Sequence, residues 1–256
     1  MASVLAQTHA DLECLVVDDG SRDHTPEVLA AISDPRLRVL RMDNQGVSAA
    51  RNLGLAASQG AYLALLDSDD EWLPEKLARQ LAFMAEQELA ISHTEEIWMR
   101  AGRRVNPGAR HAKPSGNIFT ACLKACVVSP SCILFTRELM ERAGPFDPDL
   151  PACEDYDFWL RVSLLGPVGL LPEKLTIRHG GREDQLSRRI GNLDLYRVYA
   201  LLKLLKNAVL TDTQREAAGT VLRGKSEVYL AGCRKRGRQD EAARIETLVA
   251  DAVSCR

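Results

Sequence analysis

Two hydrophobic rhythms alternate along the first quarter of the chain. Residues 12–17 (Leu-Glu-Cys-Leu-Val-Val) form an apolar run of strand length ending in Asp18-Asp19-Gly20-Ser21. Thr25-Pro26 follows, a cap residue and a proline at the first helical position, and predicts a helix to about residue 33. Residues 36–41 alternate polar and apolar as a half-exposed strand does. Residues 46–58 carry a helical pattern stopped by Gly60, and residues 61–66 (Ala-Tyr-Leu-Ala-Leu-Leu) have the composition of a strand covered on both faces. Strands alternating with helices from residue 12 to residue 66 imply βαβ units and a mainly parallel sheet flanked by helices, an α/β class.

The pattern continues less regularly. Residues 74–88 make an amphipathic helix with Leu77, Leu81, Met84 and Ala85 on one face. Residues 89–99 turn strand-like, with Ala101-Gly102-Arg103 as a hairpin turn, and residues 103–116 read as a mobile loop. Strands are expected at 131–136 and 170–178, a short helix at 154–165 and a polar loop at 179–189. Beyond Asn192 the pattern is purely helical, at 193–209, 213–233 and 239–253. Two regions follow, a domain over residues 1–191 and a helical extension over 192–256.

Charge sharpens that division. The chain is net −2 overall, which gives no global field for nucleic acid. The extension holds 12 Lys+Arg against 8 Asp+Glu, a net of +4 that leaves −6 for residues 1–191. Arg234-Lys-Arg-Gly-Arg238 concentrates part of it, either as a solvated turn or as a peripheral contact with acidic lipid. No apolar run reaches the roughly 18 residues of a membrane span, and no signal peptide is visible. The seven cysteines lack zinc-ligand spacing. Cys122 and Cys126 would share one helix face, and a reducing cytoplasm, with the inner membrane face as a possible station, is the simplest setting.

The candidate chemistry starts with Asp67-Ser68-Asp69, at the end of the 61–66 run. Strand alternation would aim Asp67 and Asp69 the same way at a carboxyl end, where open α/β sheets bind ligands. Two such carboxylates suit Mg²⁺ or Mn²⁺ with a ligand phosphate completing the shell. The competing account has Asp69 or Asp70 merely capping the following helix.

Four patterns in order carry the reading further: Val17-Asp18-Asp19-Gly20-Ser21, then Asn44-Gln-Gly46-Val-Ser-Ala-Ala-Arg51-Asn52-Leu-Gly54, then Leu66-Asp67-Ser68-Asp69-Asp70, then Glu154-Asp155-Tyr-Asp-Phe-Trp159-Leu-Arg161. Together they resemble family 2 glycosyltransferases, nucleotide-sugar-dependent enzymes of the Rossmann-like GT-A fold, over residues 3–190. The segment from Arg178 through Asp184-Gln185-Leu186-Ser187 is similar to the closing segment of bacterial members.

The resemblance implies roles. Asp18 and Asp19 would contact the base or ribose of a nucleotide-sugar donor, against the alternative of an Asx turn and a cap for the next helix. Arg51 would reach the ribose or diphosphate with Asn52 beside it, and Asp67 the ribose. Asp69 would hold the divalent cation and His179 would add a metal or diphosphate contact. Asp155 would act as base on the acceptor hydroxyl with inversion, Glu154 orienting the site, Trp159 packing the helix and Asp157 merely solvated. A glycan or lipid-linked acceptor follows, in surface polysaccharide or glycoconjugate synthesis. Family members normally begin with an apolar strand ending in a Pro-x-Tyr-Asn type segment, whereas Ala2–Thr8 reads as the helix after it, so a sheet lacking its first strand is expected. A nucleotidyltransferase, or an inactive sugar- or nucleotide-binding module, is the alternative.

Overall fold

A computed structural model describes residues 1–108, 111–181 and 190–254. The α/β class stands, but the strand pairing is mixed. Helix α1 (Ala2–Leu5) leads to β1 (Cys14–Asp19), α2 (Thr25–Ala30), β2 (Leu37–Met42) and α3 (Val47–Ala57). Strands β1 and β2 pair in parallel as a two-stranded sheet of their own, with Asp18 beside Arg41. The helix after β1 starts beyond His24 rather than on a Thr25 cap, because Asp23 accepts the Thr25 amide at 3.0 Å.

The second sheet has six strands: β3 (Tyr62–Leu63), β4 (Glu71–Trp72), β5 (Ile91–Arg100), β6 (Arg103–Val105), β7 (Ile133–Thr136) and β8 (Gly169–Gly180). Its order is β3-β7-β5-β8-β4, with β6 added to β5 as a hairpin. Only β5 and β8 pair in parallel there, the chain between them supplying β6, β7 and three helices. The other pairings are antiparallel, and only β5–β6 is a tight hairpin. The expected parallel strand over 61–66 is thus corrected: two residues pair, antiparallel to β7, and the chain then leaves the ladder toward Asp67.

Helices α4 (Lys76–Glu86), α5 (Phe119–Lys124), α6 (Arg137–Ala143) and α7 (Glu154–Val162) cover the sheet. Leu77 and Met84 of α4 are buried, as their periodicity requires. Helix α5 ends at Ala125, so Cys126 lies beyond it and shares no helix face with Cys122. The segment expected to be a mobile loop is pinned after its undescribed residues. Lys113 meets the buried Glu96 at 3.3 Å, the His93 ring lies 2.8 Å from the Pro114 carbonyl, and Gly116 bridges Val168.

The extension forms α8 (Leu193–Asn207), α9 (Asp212–Lys235) and α10 (Gln239–Ser254). Thr211 and Gln214 close a capping box on α9. Buried Val198, Leu201, Leu222 and Ile245 belong to the same core as Leu63, Phe135 and Trp159, so these helices and the sheet share one interior. Lys203 of α8 seals the junction, 2.7 Å from Asp147 and 3.2 Å from Asp157. Asp157 is therefore no solvated residue: it is buried, and Arg161 one turn on also pairs with it at 2.8 Å. Among the described residues no helix is long and apolar enough to cross a membrane.

Candidate active site

The acidic pair that ends β1 is consumed largely by backbone. Asp18 accepts the Ser21 amide at 2.8 Å, an Asx turn, and lies 3.6 Å from Arg41; hydrogen bonding from Ser21 holds its carboxyl below the usual range. Asp19 receives the Gln45 and Gly46 amides at 2.8 and 2.9 Å, so it anchors the turn that leads into α3 and does not cap the next helix in sequence. Asn44 adds its side-chain amide to the Asp19 carbonyl at 3.0 Å. Gly20 makes the junction possible: its φ is +74°, and a Cβ there would sit 2.9 Å from the Asn44 nitrogen. Beside this turn lies an open cleft of about 860 Å³ lined by Gly20, Ser21, Arg22, Arg41, Asp43 and Asn44.

Entered through this anchored turn, α3 delivers Arg51 to the centre of the molecule. One guanidinium nitrogen donates to Glu154 at 2.7 Å and another to Asp67 at 2.8 Å. The group also lies 5.3 Å from the centre of the Phe146 ring. Burial works against its charge, but Asp67 and Glu154 outweigh that and hold it above its ordinary value. Asn52 is spent on the same neighbour, its side-chain amide both giving to the Phe146 carbonyl (2.8 Å) and taking from the Phe146 amide (2.9 Å). Arg51, expected at the donor, joins the Asp67 turn to α7, and Asn52 holds the Phe146 backbone beside it.

Glu154 and Asp155 open α7, where a helix N-terminus favours negative charge. Burial and the neighbouring Asp155 push the Glu154 carboxyl up, and Arg51 opposes them. The Asp155 carboxylate takes the Cys126 thiol at 3.1 Å and the Tyr156 amide at 2.7 Å. Trp159 is fully buried, edge-on to Phe158, as packing required.

Asp67, Asp69 and Asp70 point to three different tasks. Asp67 meets Arg51. Asp70 is buried, receives Ser131 Oγ at 2.6 Å and the His179 backbone amide at 3.0 Å, and its carboxyl is pushed up to about 6 by burial. It caps no helix; α4 starts after Glu75 with no side-chain cap. Asp69 faces a second cleft of about 530 Å³, shared with Ser68, Glu71, Met99, Gly102 and His179. There the His179 ring nitrogen Nε2 lies 2.9 Å from a Glu71 carboxylate oxygen. Asp69, Glu71 and His179 are suitable donors for Mg²⁺ or Mn²⁺ by type. Among the described residues, however, no three His, Cys, Asp or Glu side chains converge to hold an ion by themselves.

Glu71, Ser131 and Phe146 were not singled out by the sequence, and Asp70 and Cys126 were read there only as a helix cap and a packing thiol. The partners of Asp70, Ser131, Phe146 and Cys126 are remote along the chain, and Glu71 carried one signal, its place in the acidic run. Asp184-Gln185-Leu186-Ser187 lies outside the described residues.

Comparison with known proteins gives this arrangement a context. The family model described as Glycosyl transferase family 2 matches residues 1–144. The Escherichia coli protein WfaP, named a UDP-Glc:alpha-D-GlcNAc-diphosphoundecaprenol beta-1,3-glucosyltransferase, is 30% identical over 163 residues, 62% of either chain. The crystal structure of Staphylococcus aureus TarS 1–349 in complex with UDP-GlcNAc superposes with a TM-score of 0.71 at 19% identity, over 86% of this chain and 66% of that one. The mannosyltransferase PcManGT of Pyrobaculum calidifontis, in complex with GDP-Man and Mn²⁺, gives 0.62 at 18% identity, over 99% and 75%. These structures share the fold. The chain spans under a third of the length of the Rickettsia relatives it matches, 26 to 29%.

Proposed function

The chain belongs to glycosyl transferase family 2, and on that premise we propose that it moves a sugar from a nucleotide-sugar donor to an acceptor hydroxyl, inverting the anomeric carbon. The observation that carries the reading is the Arg51 clasp, which ties the acidic turn at Asp67 to the α7 carboxylates at 2.8 and 2.7 Å. A transferase of this kind needs a donor-binding group and a base held in fixed relation, and one buried cation linking the two does that.

In this reading the nucleoside lies in the cleft beside Asp18 and Asp19, whose role is to shape the turn that presents Ser21, Arg41 and Asn44. Asp67 receives the ribose, and Arg51 and Asn52 act by positioning. Asp69 and His179 would hold a divalent cation, Glu71 exchanging its His179 contact as the ion enters. Such an ion supplies charge neutralisation for the leaving nucleoside diphosphate. Asp155 takes the proton from the attacking hydroxyl. The acceptor is a glycan or a lipid-linked sugar, the chemistry named for WfaP.

The test is nucleoside diphosphate release from UDP-, GDP-, CDP- and dTDP-sugars with Mn²⁺, with and without a lipid-linked sugar acceptor. Release from one donor, abolished in Asp155→Asn while donor binding persists, is the expected result. Undiminished release in Asp155→Asn would remove Asp155 from the mechanism, and no release with any donor would count against transfer itself.

A further inference from the structure

Two basic surfaces could meet an anionic partner, and their ion pairing separates them. In the 234–238 turn, Arg234 pairs with Glu246, and Arg238 pairs with Glu241 at 3.0 Å and lies over the Tyr229 ring. Two of its four basic residues are thus answered within the helical extension.

The β5–β6 hairpin differs. Between Glu96 and Glu138 the chain has no acidic residue and seven Lys+Arg. Ala101 (φ 48°) and Gly102 (φ 72°) make a two-residue left-handed turn, the tight connection that matches strand twist. The register then sets Arg100 directly opposite Arg103, with Arg104 opposite Met99. Like charges directly across an antiparallel pair are destabilising. All three arginines are exposed, and none has an acidic partner among the described residues. Val105 beside them is 36% exposed.

The stem below is rigid. The Trp98 indole donates to the buried Glu96 at 2.8 Å, Arg178 lies over the Trp98 ring, and Lys113 closes on Glu96. The tip therefore holds three exposed positive charges together, without an acidic partner among the described residues, where an anionic partner can reach them. Its location is also specific: Met99, Ala101 and Gly102 line the cleft that contains Asp69 and His179.

We propose that this hairpin docks the protein on the anionic headgroups of a phospholipid surface, Arg100, Arg103 and Arg104 taking lipid phosphates and Val105 resting at the headgroup boundary. Docking there sets the mouth of the Asp69 cleft against the lipid, where a lipid-linked acceptor would carry its sugar. The membrane contact itself does not depend on the transferase reading.

Co-sedimentation of the full chain with phosphatidylcholine vesicles, with and without phosphatidylglycerol, tests it. Binding should require phosphatidylglycerol and fall as NaCl is raised. The triple variant Arg100→Ser, Arg103→Ser, Arg104→Ser should bind on the order of a hundredfold more weakly, given the contribution of each basic residue near an anionic surface. The triple Arg→Lys variant should bind nearly as well as the native chain, and Lys235→Ser with Arg236→Ser should leave binding unchanged. Unfolding midpoints check that each variant folds. Absence of phosphatidylglycerol-dependent binding, or its loss in the tail variant alone, would overturn the proposal. So would displacement by pyrophosphate at matched ionic strength, which would mark a small-anion site instead of a surface.

Discussion

Asp18-Asp19 and Asp67-Ser68-Asp69 look alike as sequence, each an acidic stop to an apolar run, yet they do opposite things in space. The first pair spends its oxygens mainly on the Ser21, Gln45 and Gly46 amides, with exposed Arg41 3.6 Å from Asp18, so its charge is answered largely by backbone and its product is geometry. The second set is answered by one buried side chain and by open cleft. Asp67 meets Arg51, and Asp69 faces the space beside His179. A carboxylate satisfied by amides builds a turn; one held by a cation next to an open cleft remains available to chemistry. The two are also mechanically linked, because the helix whose entry Asp19 anchors is the one that carries Arg51.

Four experiments would break or sharpen that contrast. The largest effect belongs to the chemical side: Asp155→Asn should lower turnover by about 10²- to 10⁴-fold, the usual worth of a positioned base, with donor affinity preserved. Steady-state kinetics alongside donor titration checks it. Next is the clasp. Arg51→Met strands a buried carboxylate and should cost about 3–5 kcal/mol in urea unfolding. Adding Glu154→Gln should return part of that loss, since it removes the stranded charge. A near-neutral Arg51→Met would mean the clasp holds nothing together.

The turn-building pair predicts less. Asp19→Ala leaves the Gln45 and Gly46 amides without their carboxylate at the entry to α3 and should cost about 1 kcal/mol, read in the same unfolding assay. The smallest effect is a difference in sign with pH. Asp18 is held below its ordinary value, so its stabilisation is present above the carboxylate range and lost as pH falls through its folded value. Glu154 is pushed up by burial, so its contribution is present at low pH and lost as pH rises through its folded value. Unfolding series from pH 3 to 7 on Asp18→Asn and Glu154→Gln should therefore diverge from the native chain at opposite ends. Parallel curves would contradict the contrast.

Much of this architecture was legible in the residues because it is local. The helices at 47–57 and 76–86 and the three tail helices follow from apolar period and stop signals. The strand at 61–66 was over-read because composition reports burial, whereas strand length depends on a partner, and β7 offers only two positions. Asn52 is instructive in the same way. Its motif neighbours suggested donor contact, and its side chain also gives to and takes from the backbone of Phe146, 94 positions away. Asp157, read as solvated, is buried because Lys203 arrives from a helix 46 positions later. Pairings of that range leave no periodic trace in a single sequence.

The account stands most directly on a thermal-shift comparison of UDP-, GDP-, CDP- and dTDP-sugars, with and without Mn²⁺, on the native chain, Asp69→Ala and Asp155→Asn. One nucleotide sugar should stabilise the native chain and Asp155→Asn in a Mn²⁺-dependent way, and Asp69→Ala should lose that response. An equal Mn²⁺-dependent shift in Asp69→Ala, or no shift with any sugar, would contradict the assignment of the acidic cleft to the donor.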